Sequence, residues 1–170
     1  VHRAVEELLA DGRKESLTIP IIAAHAGVHP TTVYRRWGTL AELLAEVASS
    51  RFSGDIVVPD TGTLREDLTR WLTDVATDLN DPDVLALMRA TVGVGGARGG
   101  NACIVDRHAQ LQAMLEQASA RGERVPDVQR AAEALLGPLY YRALFTDHHA
   151  EPGWVHELVD ALLSSSVPDA

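Results

Sequence analysis

Within eleven residues, from His29 to Thr39, the chain gathers an imidazole, three hydroxyls, a phenol and two guanidinium groups on His29, Thr31, Thr32, Tyr34, Arg35, Arg36 and Thr39, with Pro30 among them. Threonine side chains are short enough to reach phosphates or base edges, a tyrosine O–H can donate to a phosphate, and the two arginines add positive charge beside a nucleic-acid backbone. Nothing in the chain spaces a nucleophile with a base, or two carboxylates, so as to favour catalysis. The chemistry expected is recognition of double-stranded DNA, with no catalytic residue, metal or cofactor.

These side chains can enter a major groove together only if one short helix carries them. Pro30 suits the first turn of such a helix, where its missing N–H costs nothing, and Gly38 stops the helix after Trp37. A preceding helix is predicted on Ile19, Ile22, Ala23 and Ala26, capped by Thr18 and ended by Gly27. Helix, glycine turn and second helix form a helix-turn-helix pattern. A first helix on Val5, Leu8 and Leu9 leads into it and is expected to stop at Gly12. Thr39-Leu40-Ala41-Glu42 reads as a capping box that starts a fourth helix on Leu40, Leu43, Leu44 and Val47. The positive ends of the helices capped by Thr18 and Thr39 also favour phosphate.

Charge divides the chain in the same place. Residues 1–52 carry six Lys/Arg and six Asp/Glu, whereas residues 53–170 carry nine and eighteen, which accounts for the whole net charge of −9. Phosphate repels the second part, so only the first can face DNA. Ser53 to Gly62, with Gly54, Pro59 and Gly62, marks the boundary. The expected organisation is therefore a DNA-binding domain with a linking helix over residues 1–52, and a ligand-binding and dimerisation domain over residues 53–170.

Beyond the boundary the 3.6-residue period continues, giving an all-α chain of about nine helices. Thr63-Leu64-Arg65-Glu66 is a second capping box, opening a helix on Leu64, Leu68, Trp71, Leu72, Val75 and Leu79. Asp81-Pro82 caps a shorter one on Val84, Leu85, Leu87 and Met88, expected to stop at Gly93 to Gly100. Three further helices run from Asn101, Pro126 and Pro152. No apolar run approaches the roughly 20 residues of a membrane span, and Val1 to Ala10 reads as helix rather than secretory leader. A lone cysteine, Cys103, fits a reducing cytoplasm. Since the sequence opens on Val1 without methionine, a preceding basic arm is an expectation.

The series Thr18, Ile22-Ala23, Ala26-Gly27-Val28, Thr32-Val33-Tyr34-Arg35-Arg36-Trp37 and Leu43-Leu44 resembles the DNA-binding domain of TetR-family transcriptional regulators. The resemblance covers about residues 1–52. It implies a three-helix head, a fourth linking helix and a helical body that binds an effector and dimerises. Members commonly repress transcription as dimers on palindromic operators and release DNA when a small molecule enters the body. It further implies that Thr18, Thr32, Tyr34 and Arg36 contact phosphate or bases, and that Trp37 lies in the head's core. Two positions depart from the family pattern: His29 stands where a small capping serine is common, and Leu40 where a phosphate-binding lysine is usual. Ala118 to Glu123 and Gly137 to Arg142 are similar to the C-terminal domain of one branch of the family.

Trp71, Val75, Leu87, Met88, Leu111, Met114, Leu115 and Tyr140 come from four helices and could line an apolar effector cavity or fill a core. Val128, Leu135, Leu139, Val155, Leu158, Val159 and Leu162 form stripes on the last two helices that are expected to pair with a second copy in a four-helix interface. The glycines from Gly93 to Gly100 read as a flexible connection rather than a phosphate loop, because no strand precedes them and no Lys-Ser/Thr ends them. His148-His149 reads as a solvated helix end and Cys103 as a buried thiol. Leu40 and the uncharged head leave a second reading: a helical ligand-binding protein whose DNA binding is weakened or lost.

Overall fold

The structure is a computed structural model that describes residues 1–11, 17–52, 57–146 and 151–165. It is all-α: among the described residues there are eight helices and no strand. They are α1 (His2–Ala10), α2 (Ile19–His25), α3 (Pro30–Trp37), α4 (Leu40–Phe52), α5 (Leu64–Leu79), α6 (Pro82–Ala120), α7 (Val128–Phe145) and α8 (Pro152–Ser165). Gly12, part of the boundary segment (residues 53–56) and His148-His149 lie outside the described residues, as does the side chain of Cys103.

Two compact units emerge. The first comprises residues 1–54 and 81–106, the second residues 55–80 and 107–170. The first unit thus takes in the segment 81–106, which the division at residue 52 assigned to the second part.

In the first unit α1 packs against α2 and α4, and α3 against α2 and α4. Its interior is built from Val5, Leu8 and Leu9 of α1, Ile19 and Ile22 of α2, Val33 and Trp37 of α3, and Leu43, Leu44 and Val47 of α4. Thr18 Oγ1 accepts from Ile21 N at 3.5 Å to start α2. At the other end Gly27 adopts φ 66°. This left-handed conformation lets Val28 N donate back to Ala23 O at 2.9 Å, closing the turn before α3. The Thr39 capping box forms in full: Glu42 N donates to Thr39 Oγ1 at 3.2 Å, and Thr39 N to Glu42 Oε2 at 3.1 Å.

In the second unit α5 packs on α7 and α8, which pack on each other. Leu64, Leu68, Trp71, Leu72 and Val75 bury the inner side of α5. Thr63 caps it by accepting from Glu66 N at 3.3 Å, while Glu123 Oε2 accepts from Leu64 N at 2.8 Å. The connection after α6 therefore helps to hold the start of α5. Arg121 completes this junction with ion pairs to Asp60 and to the fully buried Asp67, each at 2.8 Å, and to Glu123 at 2.9 Å. Asp67 Oδ1 also accepts from Thr61 N and Oγ1. Burial is the largest influence on the Asp67 carboxyl and pushes its pKa up, but the Thr61 donors and Arg121 outweigh it, holding the group below its ordinary value of 3.8.

One expected break is absent. The helix predicted to end at Gly93 and the one predicted to begin at Asn101 are a single helix, α6, running through all five glycines between them. Glycine costs a helix about 1 kcal/mol relative to alanine without forbidding it. Buried Val84, Leu87 and Met88 anchor one end of α6, and buried Leu111, Met114 and Leu115 the other.

Candidate nucleic-acid interface

The amphipathic division of α3 sets the interface. Val33 and Trp37, four residues apart, are buried and fix one side of the helix to the unit's interior. Thr31, Thr32, Tyr34, Arg35 and Arg36 are all exposed, and Thr18 and Thr39 are exposed at the neighbouring helix starts. Pro30 occupies the first turn. The expected donors are thus gathered around one short helix.

His29 does the work of the missing serine. Its Nδ1 accepts from Thr31 N at 3.3 Å, capping α3, and the rest of the ring is exposed. At the far end Gly38 has φ 71°, and a Cβ there would lie 2.7 Å from Glu42 Oε2. The backbone turn therefore favours glycine at Gly38, and a side chain there would displace the flexible Glu42 carboxylate from the capping box of α4.

Arg36 differs from its neighbours because it is engaged within the chain. Its guanidinium donates to Glu46 Oε1 at 3.2 Å and lies over the Trp37 ring, 4.7 Å from the centroid. His2 Nε2 donates to the same Glu46 oxygen at 3.1 Å, joining α1 to α4. Desolvation is the largest influence on the Glu46 carboxyl and raises its pKa, yet Trp37, His2 and Arg36 together hold it below the usual glutamate value. The Trp37 indole N–H makes no well-formed hydrogen bond, so its influence on Glu46 is that of a nearby dipole. A matching pair joins α1 to α2, where His25 Nε2 donates to Glu7 Oε2 at 2.9 Å. Glu7 also accepts from Arg3 at 2.7 Å, and these two donors, Arg3 first, lower its pKa. Local patterns could not reveal the pairs of Glu46, which is ten residues from Arg36 and forty-four from His2.

The residues expected to line an effector cavity divide between the units. Trp71, Val75, Leu111, Met114 and Leu115 are buried in the second, and Tyr140 is half-buried there. Trp71 Nε1 donates to Gln110 Oε1 at 2.9 Å, and the buried Arg107 donates to the same oxygen at 3.1 Å and to Asp78 at 2.8 Å. The surroundings of Trp71 are therefore more polar than its apolar neighbours in the sequence suggest. Leu87 and Met88 are buried in the first unit, where Leu87 lines a groove of about 180 Å³ walled by Glu6, Glu7, Leu9, Ala10 and Asp83.

The residues expected to form the dimer stripes are mostly occupied within the chain. Leu135, Leu139, Val155, Val159 and Leu162 are buried within the chain, on the sides of α7 and α8 that meet each other and α5. Only Val128 and Leu158 of the seven are partly exposed. Because α7 and α8 are apolar on more than one side, their sequences do not show which side α5 covers. The outward side of α7 carries Ala134, Pro138, Tyr141 and Phe145, the last two 62% and 72% exposed.

Residues 58–162 match the family model described as "Tetracyclin repressor-like, C-terminal domain". The chain belongs to the TetR family of transcriptional regulators. Among curated proteins, it is 24% identical over 164 residues to the uncharacterized HTH-type transcriptional regulator YdeS of Bacillus subtilis, an alignment covering 92% of this chain and 82% of YdeS. It is 29% identical over 171 residues to the HTH-type regulator Mb1581 of Mycobacterium bovis, covering 94% and 82%. The crystal structure of the TetR-family transcription regulator SCO0332 superimposes with a TM-score of 0.73 at 27% identity, covering 98% of this chain and 96% of that one. A TetR regulator of Agrobacterium tumefaciens has the same fold, with a TM-score of 0.72 at 20% identity, covering 96% and 91%. As a TetR-family member the chain is a DNA-binding regulator of transcription, with α2 and α3 as its helix-turn-helix. No helix among the described residues is long and apolar enough to cross a membrane.

Proposed function

We propose that this TetR-family regulator is a cytoplasmic repressor that binds a near-palindromic operator as a homodimer and leaves it when a small apolar molecule binds the second unit. The observation that carries the reading is α3: an eight-residue helix fixed by Val33 and Trp37, with Thr31, Thr32, Tyr34 and Arg35 turned to solvent. In this reading Thr18 and Thr39 bring their helix starts to phosphates, and His29 and Pro30 lie at the leading end of α3. Two copies would present their α3 helices about 34–36 Å apart, one turn of DNA. The partner surface favoured is the outward side of α7, where Ala134 and Pro138 permit close approach and Tyr141 and Phe145 supply apolar area.

For the effector, the candidates within the second unit are Trp71, Val75, Leu111, Met114, Leu115 and Tyr140, and the adaptable methionine favours a site that can repack. Helix α6 supports a route between effector and operator, because its first part belongs to the first unit and its last part to the second. Effector binding would then alter the spacing of the two α3 helices. The test is a mobility-shift titration against the gene's own upstream region at two salt concentrations, repeated with candidate apolar ligands. A sequence-selective shift that a ligand reverses is expected; a ligand that binds without changing operator affinity would disprove the release mechanism.

One observation favours a second reading, in which the chain binds ligands and DNA binding is weakened or lost. Arg36 is paired with Glu46, and Leu40 supplies no charge to phosphate. Absence of any sequence-selective shift would favour it.

A further inference from the structure

We infer that His29 reads the N7 atom of a purine in the operator's major groove. The inference rests on the DNA-reading role of α3 proposed above. Its starting point is the cap: Thr31 N donates to His29 Nδ1 at 3.3 Å, so that nitrogen must present a lone pair. In the neutral imidazole the proton then resides on Nε2. The cap thus sets the tautomer and makes the other edge of the ring a hydrogen-bond donor. His29 is exposed, and no hydrogen bond among the described residues uses this second nitrogen. A serine cap would carry acceptor and donor on one short Oγ, with no separate edge reaching outward.

The leading end of a recognition helix is where base edges are contacted. Guanine and adenine both present N7 in the major groove as an acceptor, which complements a single N–H donor. Phosphate is the less suitable partner: a ring that accepts at Nδ1 offers a single N–H, while the exposed guanidinium of Arg35, on the same helix, offers several donors and a fixed positive charge. The imidazole also reaches farther than the hydroxyls of Thr31 and Thr32. His29 is therefore assigned both the start of α3 and one position of the operator sequence.

The experiment selects the full chain's preferred duplex from a random library, then repeats the selection with His29→Ser and His29→Thr, whose short hydroxyls cap without reaching a base. Both substitutes keep an acceptor for Thr31 N, and thermal midpoints identify which variant retains wild-type stability. That variant is expected to lose about tenfold in discrimination at one purine of each half-site, the order of one hydrogen bond. Placing 7-deazapurine at that position in the wild-type duplex should cause the same loss, with no additional loss for the variant. Three results overturn the inference while leaving DNA reading intact: an unchanged base preference in the stable variant, tolerance of 7-deazapurine at every position, or a loss uniform across all sequences, which would indicate a phosphate contact. Failure of the wild-type chain to retain any duplex would instead overturn the proposed function, and the inference with it.

Discussion

At Gly38 one residue joins two helices. Its φ of 71° suits glycine, and any side chain would meet Glu42 Oε2, which caps the start of α4. Gly38→Ala is expected to cost at least about 1 kcal/mol, since it combines a strained backbone with a disturbed capping box; urea unfolding would measure this, and an unchanged midpoint would show that the turn relaxes freely. Glu46 acts on charge rather than backbone. By accepting from Arg36 it occupies a cation that would otherwise be available to phosphate. Glu46→Gln should therefore steepen the slope of log affinity against log salt by about one unit, the increment of one additional phosphate contact. An unaltered slope would mean that Arg36 stays away from DNA even when released. Exposed pairs of this kind contribute little to stability, so the protein's thermal midpoint should hardly move.

Helix starts and stops were the most legible elements because their causes are local. Thr18, Thr39, Thr63 and Asp81 each cap a helix within three residues of themselves, and Gly27 and Gly38 mark stops by backbone conformation. The family resemblance implied a buried Trp37, and the structure adds Val33 one turn earlier, which leaves the donors of α3 exposed. Where local and long-range terms compete, sequence was a poorer guide. Five glycines argued for a break in α6, yet the anchored segments on either side carry the helix through. That penalty leaves room for improvement: Gly93 lies in α6 with open space around a built Cβ. Gly93→Ala is expected to stabilise by up to about 1 kcal/mol and to raise the thermal midpoint by about 2–4 °C. A fall in midpoint would indicate that the helix needs the smaller residue there. The inward sides of α7 and α8 were hidden for a different reason, since only the position of α5 decides which apolar stripe is covered.

In the second unit the junction of Asp60, Thr61, Asp67, Arg121 and Glu123 ties the start of α5 to the end of α6. Asp67 has a lower pKa folded than unfolded. Its stabilising contribution is thus complete above the unfolded value of 3.8 and is lost as pH falls through the lower folded value. Thermal midpoints recorded downward from pH 6 should show a steeper acid-side decline for the wild type than for Asp67→Asn; identical profiles would remove Asp67 from the account. The proposed homodimer makes a separate demand, because a residue cannot serve both the chain's own core and a partner. Leu135 is fully buried between helices of one chain, whereas Tyr141 and Phe145 on the outward side of α7 have no such cover. Leu135→Ala should therefore cost about 2–5 kcal/mol of folding stability, as core truncations do, while leaving the dimer constant of the remaining folded protein unchanged. The double substitution Tyr141→Asp with Phe145→Asp should do the reverse, keeping the unfolding midpoint of the isolated chain but shifting sedimentation equilibrium to monomer. If both proteins dissociate alike, the stripes of α7 and α8 are coupled through the helix pair; if neither does, the partner surface lies elsewhere.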